Sequence, residues 1–457
     1  MNKRIVILGA GISGLATAYW LMKEGLDVVV LEKAPDVGGA MNSRNENGYM
    51  VDYGPNSGLE TTPLIRKLVE ETGIIDQMIY ANQEGNKRYI LRDGELHALP
   101  MNPPAFLKTK LFSAKAKLRL FAEPFIGRSE DGYYQSISDF VKRRLGQEFL
   151  DYAINPFVAG VYAGNPDELS VKSAFPKLYR LEEEYGGLIK GTIKGARERK
   201  KRNEESKQSA KMFSFKDGMQ TFPKAISEKL GSDRIILNAE IKKISKSGSC
   251  YVIHYTQNGN TKVLESEIII SALPAYSACY AFKDFDDKLY SHLKSLYYPP
   301  VKVLFLGYEK KAIGRALDGF GFLIPEKEKR SFLGAIWSSV IFNNRAPEGH
   351  AAFTLFVGGA RSPELFDSPE KELYNKVIGE FHKIMNISED PVFRAERMWT
   401  KAIPQYNIGY IEHERYFDEF EKANKGILLS GNFRGGIAVG DCIKSSEIVY
   451  KKALDLL

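Results

Sequence analysis

An α/β fold built around a parallel sheet is predicted by three observations at the start of this 457-residue chain. Residues 5–8 form a continuous apolar run, which is typical of a parallel strand buried on both faces. A glycine-rich turn follows directly and leads into a helical pattern that ends near Gly25. A second apolar run, residues 28–31, completes a predicted βαβ unit.

The turn carries Gly9, Gly11 and Gly14 in the spacing GxGxxG, with Ile12 and Ser13 between the last two. In this pattern the first glycine permits the tight turn, the second lets the backbone approach a pyrophosphate, and the third lets helix and strand pack closely. The helix N-terminus offers N–H groups to phosphates, and Glu32 at the end of the second strand can accept hydrogen bonds from ribose hydroxyls. This order of elements predicts a Rossmann-type dinucleotide site.

The residues after Glu32 favour FAD among the dinucleotides. The glycine pair Gly38 and Gly39 follows this acid and precedes the basic Arg44, and the pattern resembles the extended fingerprint of amine-oxidase-type flavoproteins. Glycines at this point let the backbone pass close to the diphosphate and the ribityl chain. An ordinary turn would explain the pair if the preceding motif were absent.

Composition excludes several other classes of protein. The chain is 44% hydrophobic and 26% charged, as expected for a soluble globular protein in the cytoplasm. Its three cysteines form no CxxC pair, so neither a disulfide framework nor a zinc site is predicted. The sequence enters a strand at once, without room for a signal peptide, and contains no membrane-length apolar run. The net charge of +7 fits anionic substrates or acidic lipid.

The middle of the chain is predicted to be helical first and β-rich later. Residues 61–72 predict a helix, and residues 87–99 predict a hairpin with an Asp-Gly turn. Residues 103–190 are helix-like and carry basic and apolar side chains together, which suits either an anionic membrane surface or packing on the chain's own domain. The charged run 194–211 lacks interleaved aromatic residues, so it predicts a solvated helix end and flexible loop rather than a nucleic-acid site.

Strands dominate the rest of the middle region. Residues 235–244, 251–255 and 265–272 each predict one strand, and the last would return the chain to the first sheet. Between residues 296 and 360 the predicted strands form a plausible roof over a flat apolar ligand, and they comprise residues 301–308, 320–324, 335–339 and 352–357.

The C-terminal region repeats the strand, turn and helix pattern. Residues 426–432 predict a short strand, and a glycine-rich turn over residues 434–443 leads into a helix from about Lys444. Backbone N–H groups at such a helix start can bind an electron-rich group, here the flavin pyrimidine, and stabilise its reduced anionic form. A structural loop without a ligand is the alternative.

Several motifs together resemble the oxygen-dependent, FAD-containing protoporphyrinogen oxidase family, a branch of the flavin amine oxidase superfamily. They are residues 155–170, 174–182, 403–406 and 432–442. The resemblance spans essentially the whole chain and implies a discontinuous Rossmann-type FAD-binding domain, an α+β substrate domain and a helical membrane-associating insert. The implied ranges are 1–87, 229–289 and 399–457 for the FAD domain, 88–103, 191–228 and 290–398 for the substrate domain, and 104–190 for the insert.

The resemblance also implies site residues. Arg88 looks like the arginine that grips a substrate propionate, and Asn56 like the asparagine beside flavin and substrate. The implied walls around the macrocycle are Phe320, Gly321, Leu323, Phe356 and Gly358. Besides Gly9 to Gly14, Glu32 and the glycine pair, the implied flavin contacts are Lys33, Gly54, Pro55, Asn56, Ser57, Ile241, Trp399, Ile437, Ala438 and Val439. Gly440 departs from the family pattern, in which the resemblance implies a larger residue or proline.

The implied activity is oxidation of protoporphyrinogen IX to protoporphyrin IX in haem biosynthesis, with hydride transfer to FAD and reoxidation by O2 to H2O2. No general base is assigned. Coproporphyrinogen III oxidation by the same fold is the close alternative, an FAD-dependent amine oxidase is a more distant one, and a non-catalytic flavin-binding scaffold is a third. The resemblance is compatible with peripheral contact to the inner face of a membrane and with a homodimer.

Overall fold

The structure, a computed structural model, describes residues 4–201 and 210–457. Part of the charged run 194–211 therefore lies outside the described residues. In the described part the strands, numbered in chain order, are β1 Arg4–Leu8, β2 Asp27–Leu31, β3 Ser43–Glu46, β4 Tyr49–Asp52, β5 Gly58–Leu59, β6 Met78–Tyr80, β7 Arg88–Arg92, β8 Glu95–Ala98, β9 Met212–Phe215, β10 Ile235–Ile236, β11 Ala239–Ser247, β12 Cys250–Gln257, β13 Asn260–Ser266, β14 Ile268–Ser271, β15 Val301–Glu309, β16 Gly321–Leu323, β17 Gly334–Ile336, β18 His350–Gly358, β19 Phe393–Trp399 and β20 Ile427–Leu429.

The α-helices of the described residues follow the same numbering. They are α1 Ile12–Lys23, α2 Pro63–Glu71, α3 Pro103–Lys108, α4 Ala114–Arg119, α5 Ile137–Arg144, α6 Gln147–Phe149, α7 Asn155–Tyr162, α8 Val171–Ala174, α9 Pro176–Tyr185, α10 Leu188–Lys201, α11 Thr221–Leu230, α12 Ala275–Ala281, α13 Asp287–Ser295, α14 Ser338–Ile341, α15 Glu370–Met385, α16 Tyr410–Ala423 and α17 Val439–Leu454.

A five-stranded parallel sheet in the order β10-β2-β1-β14-β20 positions the first glycine-rich turn. Its central strand is buried on both faces, as predicted: Ile5 and Ile7 pack on the side of α1, while Val6 and Leu8 pack on the opposite side. The predicted return strand pairs with β1 in parallel, Ile268 opposite Ile5. The start, middle and C-terminal region of the chain therefore all contribute to one sheet.

A second sheet is mixed and has seven strands in the order β19-β15-β18-β17-β16-β7-β8. Along β18 the odd-numbered residues, among them Phe353 and Leu355, pack with α15 in one core. The even-numbered residues Thr354 and Phe356 project from the opposite face, because successive side chains of a strand alternate. The sheet thus has a closed face under α15 and a second face toward the rest of the molecule.

Three predicted strands differ from the observed ones. The predicted strand 235–244 is two strands, because Asn238 adopts φ 55° and turns the chain from the parallel sheet into a separate three-stranded sheet. The predicted strand 265–272 is divided after Ser266, whose hydroxyl donates to the carbonyl of Ile268. The predicted strand 335–339 ends at Ile336, and α14 begins two residues later. The predicted hairpin is confirmed, with Asp93 and Gly94 both at positive φ.

The region predicted to be helical is helical, and a buried ionic cluster joins its segments. Arg144 is fully buried and donates to Glu182 at 2.5 Å and to Glu123 at 3.1 Å. Glu123 also accepts from the backbone N–H groups of Leu188 and Ile189 at the start of α10. Within residues 4–201 and 210–457, no helix is both long and apolar enough to cross a membrane. The bounds of the three implied domains stay a prediction.

Candidate functional site

The first glycine loop, residues 9–14, has the geometry that its sequence predicts. Gly9 has φ 100° and its N–H donates to the carbonyl of Leu31 at 2.8 Å. A Cβ on Gly14 would lie 2.0 Å from the carbonyl oxygen of Gly9, so helix and strand pack too closely for any side chain. A Cβ on Gly11, by contrast, would meet no heavy atom within 4 Å. Open space therefore lies beside Gly11, where a pyrophosphate would approach.

Glu32 lies at the end of β2 and is fixed against this loop. Its carboxylate accepts hydrogen bonds from the N–H of Ala10 at 2.7 Å and from the N–H of Ala34 at 2.8 Å. The neighbouring Lys33 forms an ion pair with Glu240 at 3.1 Å, on β11. Ile241 follows Glu240 on the same strand, which begins at Ala239, and the N–H of Ala239 donates to the carbonyl of Glu32. Glu32, Lys33 and Ile241 thus share one corner of the molecule.

The glycine pair lies directly on the first glycine loop. The N–H of Gly38 donates to the carbonyl of Ala10 at 2.9 Å, and Gly38 forms a bridge with Gly11. A Cβ on Gly39 would lie 3.3 Å from the Cα of Gly11. Both glycines of the pair have positive φ, 122° and 59°. Positive φ and close backbone contacts explain glycine at positions 38 and 39, whereas Gly11 itself has room for a Cβ.

The segment from Gly54 to Ser57 joins β4 of a two-stranded sheet to β5, and it contacts both the region of the glycine pair and the seven-stranded sheet. A Cβ on Gly54 would lie 1.8 Å from the carbonyl oxygen of Ala40, next to the glycine pair. The indole N–H of Trp399 donates to the carbonyl of Tyr53 at 2.8 Å, which places this side chain beside Gly54 and Pro55. Asn56 and Ser57 line a cavity together with Phe320.

The C-terminal glycine loop, residues 432–438, leads into α17, whose first turn has no side-chain cap among the described residues. Val439 begins the helix, Ala438 is its N-cap and Ile437 precedes it. The helix packs on α1, where the Ser446 hydroxyl donates to the carbonyl of Ser13 at 3.0 Å. The structure therefore places a second uncapped helix N-terminus on the element that begins at the first glycine loop.

Two stacked tyrosines support this second loop, with ring centroids 4.3 Å apart. The Tyr406 hydroxyl donates to the carbonyl of Asn432 and accepts from the N–H of Gly436, and the Tyr410 hydroxyl donates to the carbonyl of Phe433. Burial holds the pKa of both phenols well above the usual value, so both stay neutral donors. The loop thus gains its shape from side chains outside the local motif.

Gly440 has a local explanation in this structure. A Cβ at this position would lie 2.5 Å from the Oγ1 atom of Thr61, just before α2. A larger residue would therefore displace that segment. Glycine at position 440 thus fits the close packing of the first turn of α17 on the residues before α2.

The open face of the seven-stranded sheet carries the implied substrate residues. Gly321 and Leu323 of β16 alternate with Phe322, which packs into the core beneath α15. In the parallel pair of β16 and β7, Gly321 stands opposite Arg88, whose guanidinium lies 5.4 Å from the centroid of the Phe320 ring. Arg88 is exposed and Phe320 half-buried.

The remaining implied wall residues lie farther along the same face. Phe356 of β18 stands opposite Gly334 and packs with a small core that includes Val303. Leu323 lies against α7, since a Cβ on Gly160 would be 2.7 Å from its Cδ2 atom. Gly358 has φ 95°, and a Cβ on it would lie 2.9 Å from the carbonyl oxygen of Pro300. The structure thus brings the implied wall residues onto one apolar face.

Sequence reasoning missed several supporting side chains of this face. Thr354 accepts from the Asn56 amide at 3.4 Å and forms a hydrogen bond with the Ser338 hydroxyl at 2.9 Å. Asp318 accepts from Lys87 at 2.6 Å and from the Tyr89 hydroxyl at 2.7 Å, which fixes the turn before Phe320. Their partners lie far away in sequence, so no local pattern marks these residues.

A buried ion pair borders the cavity shared by Asn56 and Phe320. Arg345 lies 3.4 Å from Asp52, which also accepts from the Ser43 hydroxyl at 2.6 Å and the N–H of Met219 at 2.8 Å. Burial raises the pKa of Asp52 and lowers the pKa of Arg345, while each opposes the shift of the other. The hydrogen bonds compensate part of the cost of this burial.

The residues present fit a dinucleotide flavin. The space beside Gly11 has the place and openness that a pyrophosphate needs, and the α1 N-terminus carries no side-chain cap among the described residues. Glu32 supplies a carboxylate beside the loop, and the α17 N-terminus supplies further N–H groups. No group of three or more potential metal ligands occurs in the described part of the chain.

Comparison with known proteins identifies the family. Residues 12–449 match the family model described as flavin containing amine oxidoreductase. The chain is 33% identical to protoporphyrinogen oxidase 2 of Arabidopsis thaliana, over 100% of this chain and 94% of that one. It is 28% identical to coproporphyrinogen III oxidase of Bacillus subtilis, over 100% and 99%.

Solved structures show the same fold. A structure from Exiguobacterium sp. 255-15, provisionally named a protoporphyrinogen oxidase, has a TM-score of 0.82 at 21% identity and covers 100% of this chain and 99% of that one. Reduced UDP-galactopyranose mutase has a TM-score of 0.77 at 18% identity, with 100% and 95% covered. The chain therefore belongs to the flavin-containing amine oxidoreductases, in the branch of the protoporphyrinogen and coproporphyrinogen III oxidases, and is an FAD-dependent oxidoreductase.

Proposed function

We propose that this protein oxidises protoporphyrinogen IX to protoporphyrin IX. The observation that carries the proposal is the open face of the seven-stranded sheet, where the flat apolar surface of Phe320, Leu323 and Phe356 is bordered by the exposed cation Arg88. A protoporphyrinogen has the matching chemistry, because it combines a large apolar ring with carboxylates at one edge. Two relatives of this chain, 33% and 31% identical to it, are named protoporphyrinogen oxidases.

Each group has a defined task in this proposal. Bound FAD would supply the hydride acceptor, and O2 would take the electrons and form H2O2. Removal of six electrons from the substrate requires three such two-electron oxidations. The chain itself binds and orients: Arg88 pairs with a propionate, the apolar wall excludes water, and Asn56, hydrogen-bonded to Thr354, lines a cavity together with Phe320.

Coproporphyrinogen III is the second candidate substrate. It differs from protoporphyrinogen IX by two propionates in place of two vinyl groups, so the polarity at the far edge of the pocket decides between them. Two observations favour this candidate. The chain is 28% identical to the Bacillus subtilis enzyme, and a cavity lined by Lys329, Arg330 and Arg361 could bind a further carboxylate. The apolar wall and the higher identity to protoporphyrinogen oxidases favour the first.

The position of Lys302 on β15 does not support an amine oxidase activity. Such an enzyme often uses a lysine hydrogen-bonded to flavin N5, and Lys302 is the buried lysine of the sheet. Its ammonium, however, lies 5.1 Å from the ring centroid of Phe366 and 6.0 Å from that of Tyr374. Tyr374 belongs to α15, so Lys302 points to the closed face of the sheet, away from Asn56 and Phe356.

The test is side-by-side oxidation of both porphyrinogens by the FAD-loaded protein in air, followed by porphyrin fluorescence with autoxidation subtracted. We expect turnover of protoporphyrinogen IX with H2O2 release. Arg88→Ala should raise KM about tenfold with little change in kcat, because one charge-assisted contact is worth roughly 1.5–3 kcal/mol. Arg394→Ala, at the far edge strand of the same sheet, is the control. If the protein oxidises neither of the two porphyrinogens, the proposal is wrong.

We also propose that the helical region contacts a membrane surface. Several apolar side chains in this region and just before it are exposed, from 65% for Leu107 to 89% for Phe125, and they are Met101, Leu107, Leu118, Phe121 and Phe125. Basic side chains alternate with them, namely Lys108, Lys110, Lys115, Lys117 and Arg119. Apolar side chains that insert below the headgroups and cations that bind anionic lipid are the two requirements of interfacial binding.

Vesicle flotation tests this second proposal. The protein should float with vesicles that contain phosphatidylserine and much less with purely zwitterionic vesicles. The double variant Phe121→Ser/Phe125→Ser should lose binding, whereas Tyr280→Ser, an exposed aromatic residue on α12, should not. Equal flotation of the double variant and the parent protein would overturn the membrane contact.

A further inference from the structure

A cavity lies at the end of β18, beside the turn that joins β16 to β17. We call it the Arg361 cavity, and its polar lining consists of Glu326, Lys329, Arg330, Arg361 and Ser362. Its volume is about 210 Å³, which is room for a small polar group such as a carboxylate rather than for a whole ligand. Leu333 and Gly358 form part of its wall.

The cavity lining carries three cations and one acid, Glu326, and none of the three cations forms an ion pair within the described residues. Arg361 is largely buried and donates to the amide oxygen of Asn155 at 2.5 Å and to the carbonyl of Ile324 at 3.2 Å, but it forms no ion pair there. Burial lowers its pKa to about 10. Arg330 and Lys329 are exposed and form no ion pair with any residue in 4–201 or 210–457. The single acid, Glu326, accepts from Asn155.

The arrangement of Arg361 leaves donors for a ligand. A guanidinium has five N–H groups, and neutral oxygens occupy two of them here. Taking an arginine out of water without an acid partner is costly. An anion that enters the cavity would remove this cost and could bind in the planar, two-bonded geometry that arginine and carboxylate share.

The cavity adjoins the proposed substrate face at the end opposite to Arg88. Leu333 packs with Val303 in the core that Phe356 adjoins, and Gly358 is an implied wall residue. Along β16, Gly321 stands opposite Arg88, and the carbonyl three residues later, at Ile324, accepts from Arg361. Three residues of strand span about 10 Å. Cations therefore lie near both ends of β16, and the cavity meets the substrate face at Leu333 and Gly358.

We propose that the Arg361 cavity is a second carboxylate-binding site, which holds a propionate on the tetrapyrrole edge opposite to the one held by Arg88. This proposal rests on the proposed porphyrinogen oxidation and adds a specificity-determining contact to it. Coproporphyrinogen III carries propionates at both edges and gains the contact. Protoporphyrinogen IX carries vinyl groups at the second edge and does not.

Binding of the two porphyrin products to the FAD-loaded protein tests the site without turnover. Coproporphyrin III and protoporphyrin IX are titrated and followed by the shift of the porphyrin absorption band. Arg330→Ala, which changes an exposed residue, should weaken coproporphyrin III binding about tenfold and leave protoporphyrin IX binding within about twofold. Arg361→Lys should show the same selectivity, because lysine lacks the planar fork. Lys327→Ala, on the same turn but outside the cavity lining, is the control.

The outcomes separate this proposal from the proposed function. Equal weakening of both porphyrins by Arg330→Ala, or no weakening, overturns the second carboxylate site even when porphyrinogen turnover is intact. Citrate added in competition distinguishes a free carboxylate from a tetrapyrrole propionate. If citrate stabilises the parent protein but not Arg330→Ala, and neither porphyrin discriminates the variants, the cavity binds a free anion and the tetrapyrrole assignment is wrong.

Discussion

The two glycine loops of the flavin site look alike in sequence and differ in what holds them. The first, residues 9–14, is fixed by neighbouring backbone: Gly9 bonds to Leu31, and Gly14 packs against Gly9. The C-terminal loop, residues 432–438, is held by the side chains of Tyr406 and Tyr410, which precede it by more than twenty residues. A helix N-terminus can thus be shaped for a ligand by its own motif or by distant support.

The difference decides how each loop responds to mutation. A loop fixed by backbone has positions where one added carbon collides with an immobile carbonyl, so a substitution there destabilises the fold. A loop held by side chains loses one hydrogen bond with each substitution, so its stability and ligand affinity decrease in steps. Four experiments sharpen this contrast.

Gly14→Ala should have the largest effect. Its Cβ would lie 2.0 Å from the carbonyl oxygen of Gly9, which cannot move without separating α1 from β1. We expect a loss of about 3 kcal/mol in the free energy of unfolding, measured by urea denaturation of the apoprotein. Gly379→Ala in α15, where the added carbon meets nothing within 4 Å, is the control and should not destabilise. A fully stable Gly14→Ala protein would refute the close packing.

Gly11→Val separates cofactor binding from folding within the same loop. Gly11 has φ −74°, which any L-residue adopts, and a side chain there projects into open space. We expect unfolding of the apoprotein to change by less than about 1 kcal/mol, while FAD binding weakens at least about a hundredfold, because the side chain fills the pyrophosphate position. Isothermal titration of apoprotein with FAD measures this. Unchanged affinity would place the cofactor elsewhere.

Tyr406→Phe tests the support of the C-terminal loop. The variant leaves the N–H of Gly436 and the carbonyl of Asn432 without their partner in a buried place, which costs about 1–2 kcal/mol. FAD affinity should fall by roughly tenfold, with a smaller loss of thermal stability. Tyr450→Phe, which removes a hydroxyl bonded to exposed Glu24, serves as the control. Equal behaviour of the two variants would show that the loop does not depend on Tyr406.

The smallest effect concerns pH and the helix that carries Tyr410. On α16, His413 forms a hydrogen bond with His292 of α13 at 2.9 Å. Burial and the neighbouring histidine lower the pKa of His413 from 6.5 to about 4, against the opposing charge of Glu412. The unfolded chain then binds this proton first, so folding stability falls as pH drops from about 6.5 toward 4.

His413→Gln should reduce this dependence. Melting temperatures are compared at pH 7.5 and pH 5 for the parent protein, for this variant and for His350→Gln. His350 lies on β18 of the seven-stranded sheet, and its variant is the control. The fall in melting temperature between the two pH values should be smaller for His413→Gln than for the other two proteins. A fall of equal size in all three would mean that His413 titrates normally in the folded protein.

The sequence predicts the first glycine loop well because Leu31, Glu32 and Gly38, which bond to it, all lie within the first forty residues. Gly9, Gly11 and Gly14 each have the environment that the motif implies, and the acid at the strand end lies beside the loop. Strand breaks were missed where tertiary pairing decides. Asn238 and Ser266 divide apolar runs that look continuous, because the two halves of each run belong to different sheets.

The substrate face was placed by resemblance, and its supports were not predicted. Asn56 is fixed by Thr354, nearly three hundred residues later, and no periodicity marks such a pair. Arg361 likewise lies in a turn with no recognisable pattern, and its cavity forms where the β16–β17 turn meets the residues after β18. A sequence predicts interactions between residues that are close along the chain, but not the side-chain partners that only the fold brings together.

The order of strands in the parallel sheet has a consequence for biosynthesis. Because β20 completes the sheet beside β14 and α17 packs on α1, the binding site cannot close before the ribosome has made and released residues as far as Leu454. The nascent chain must keep β1, β2 and β14 from aggregating until then. The complete FAD site therefore forms only after translation of these last elements, and until then the edge of β14 that pairs with β20 is open.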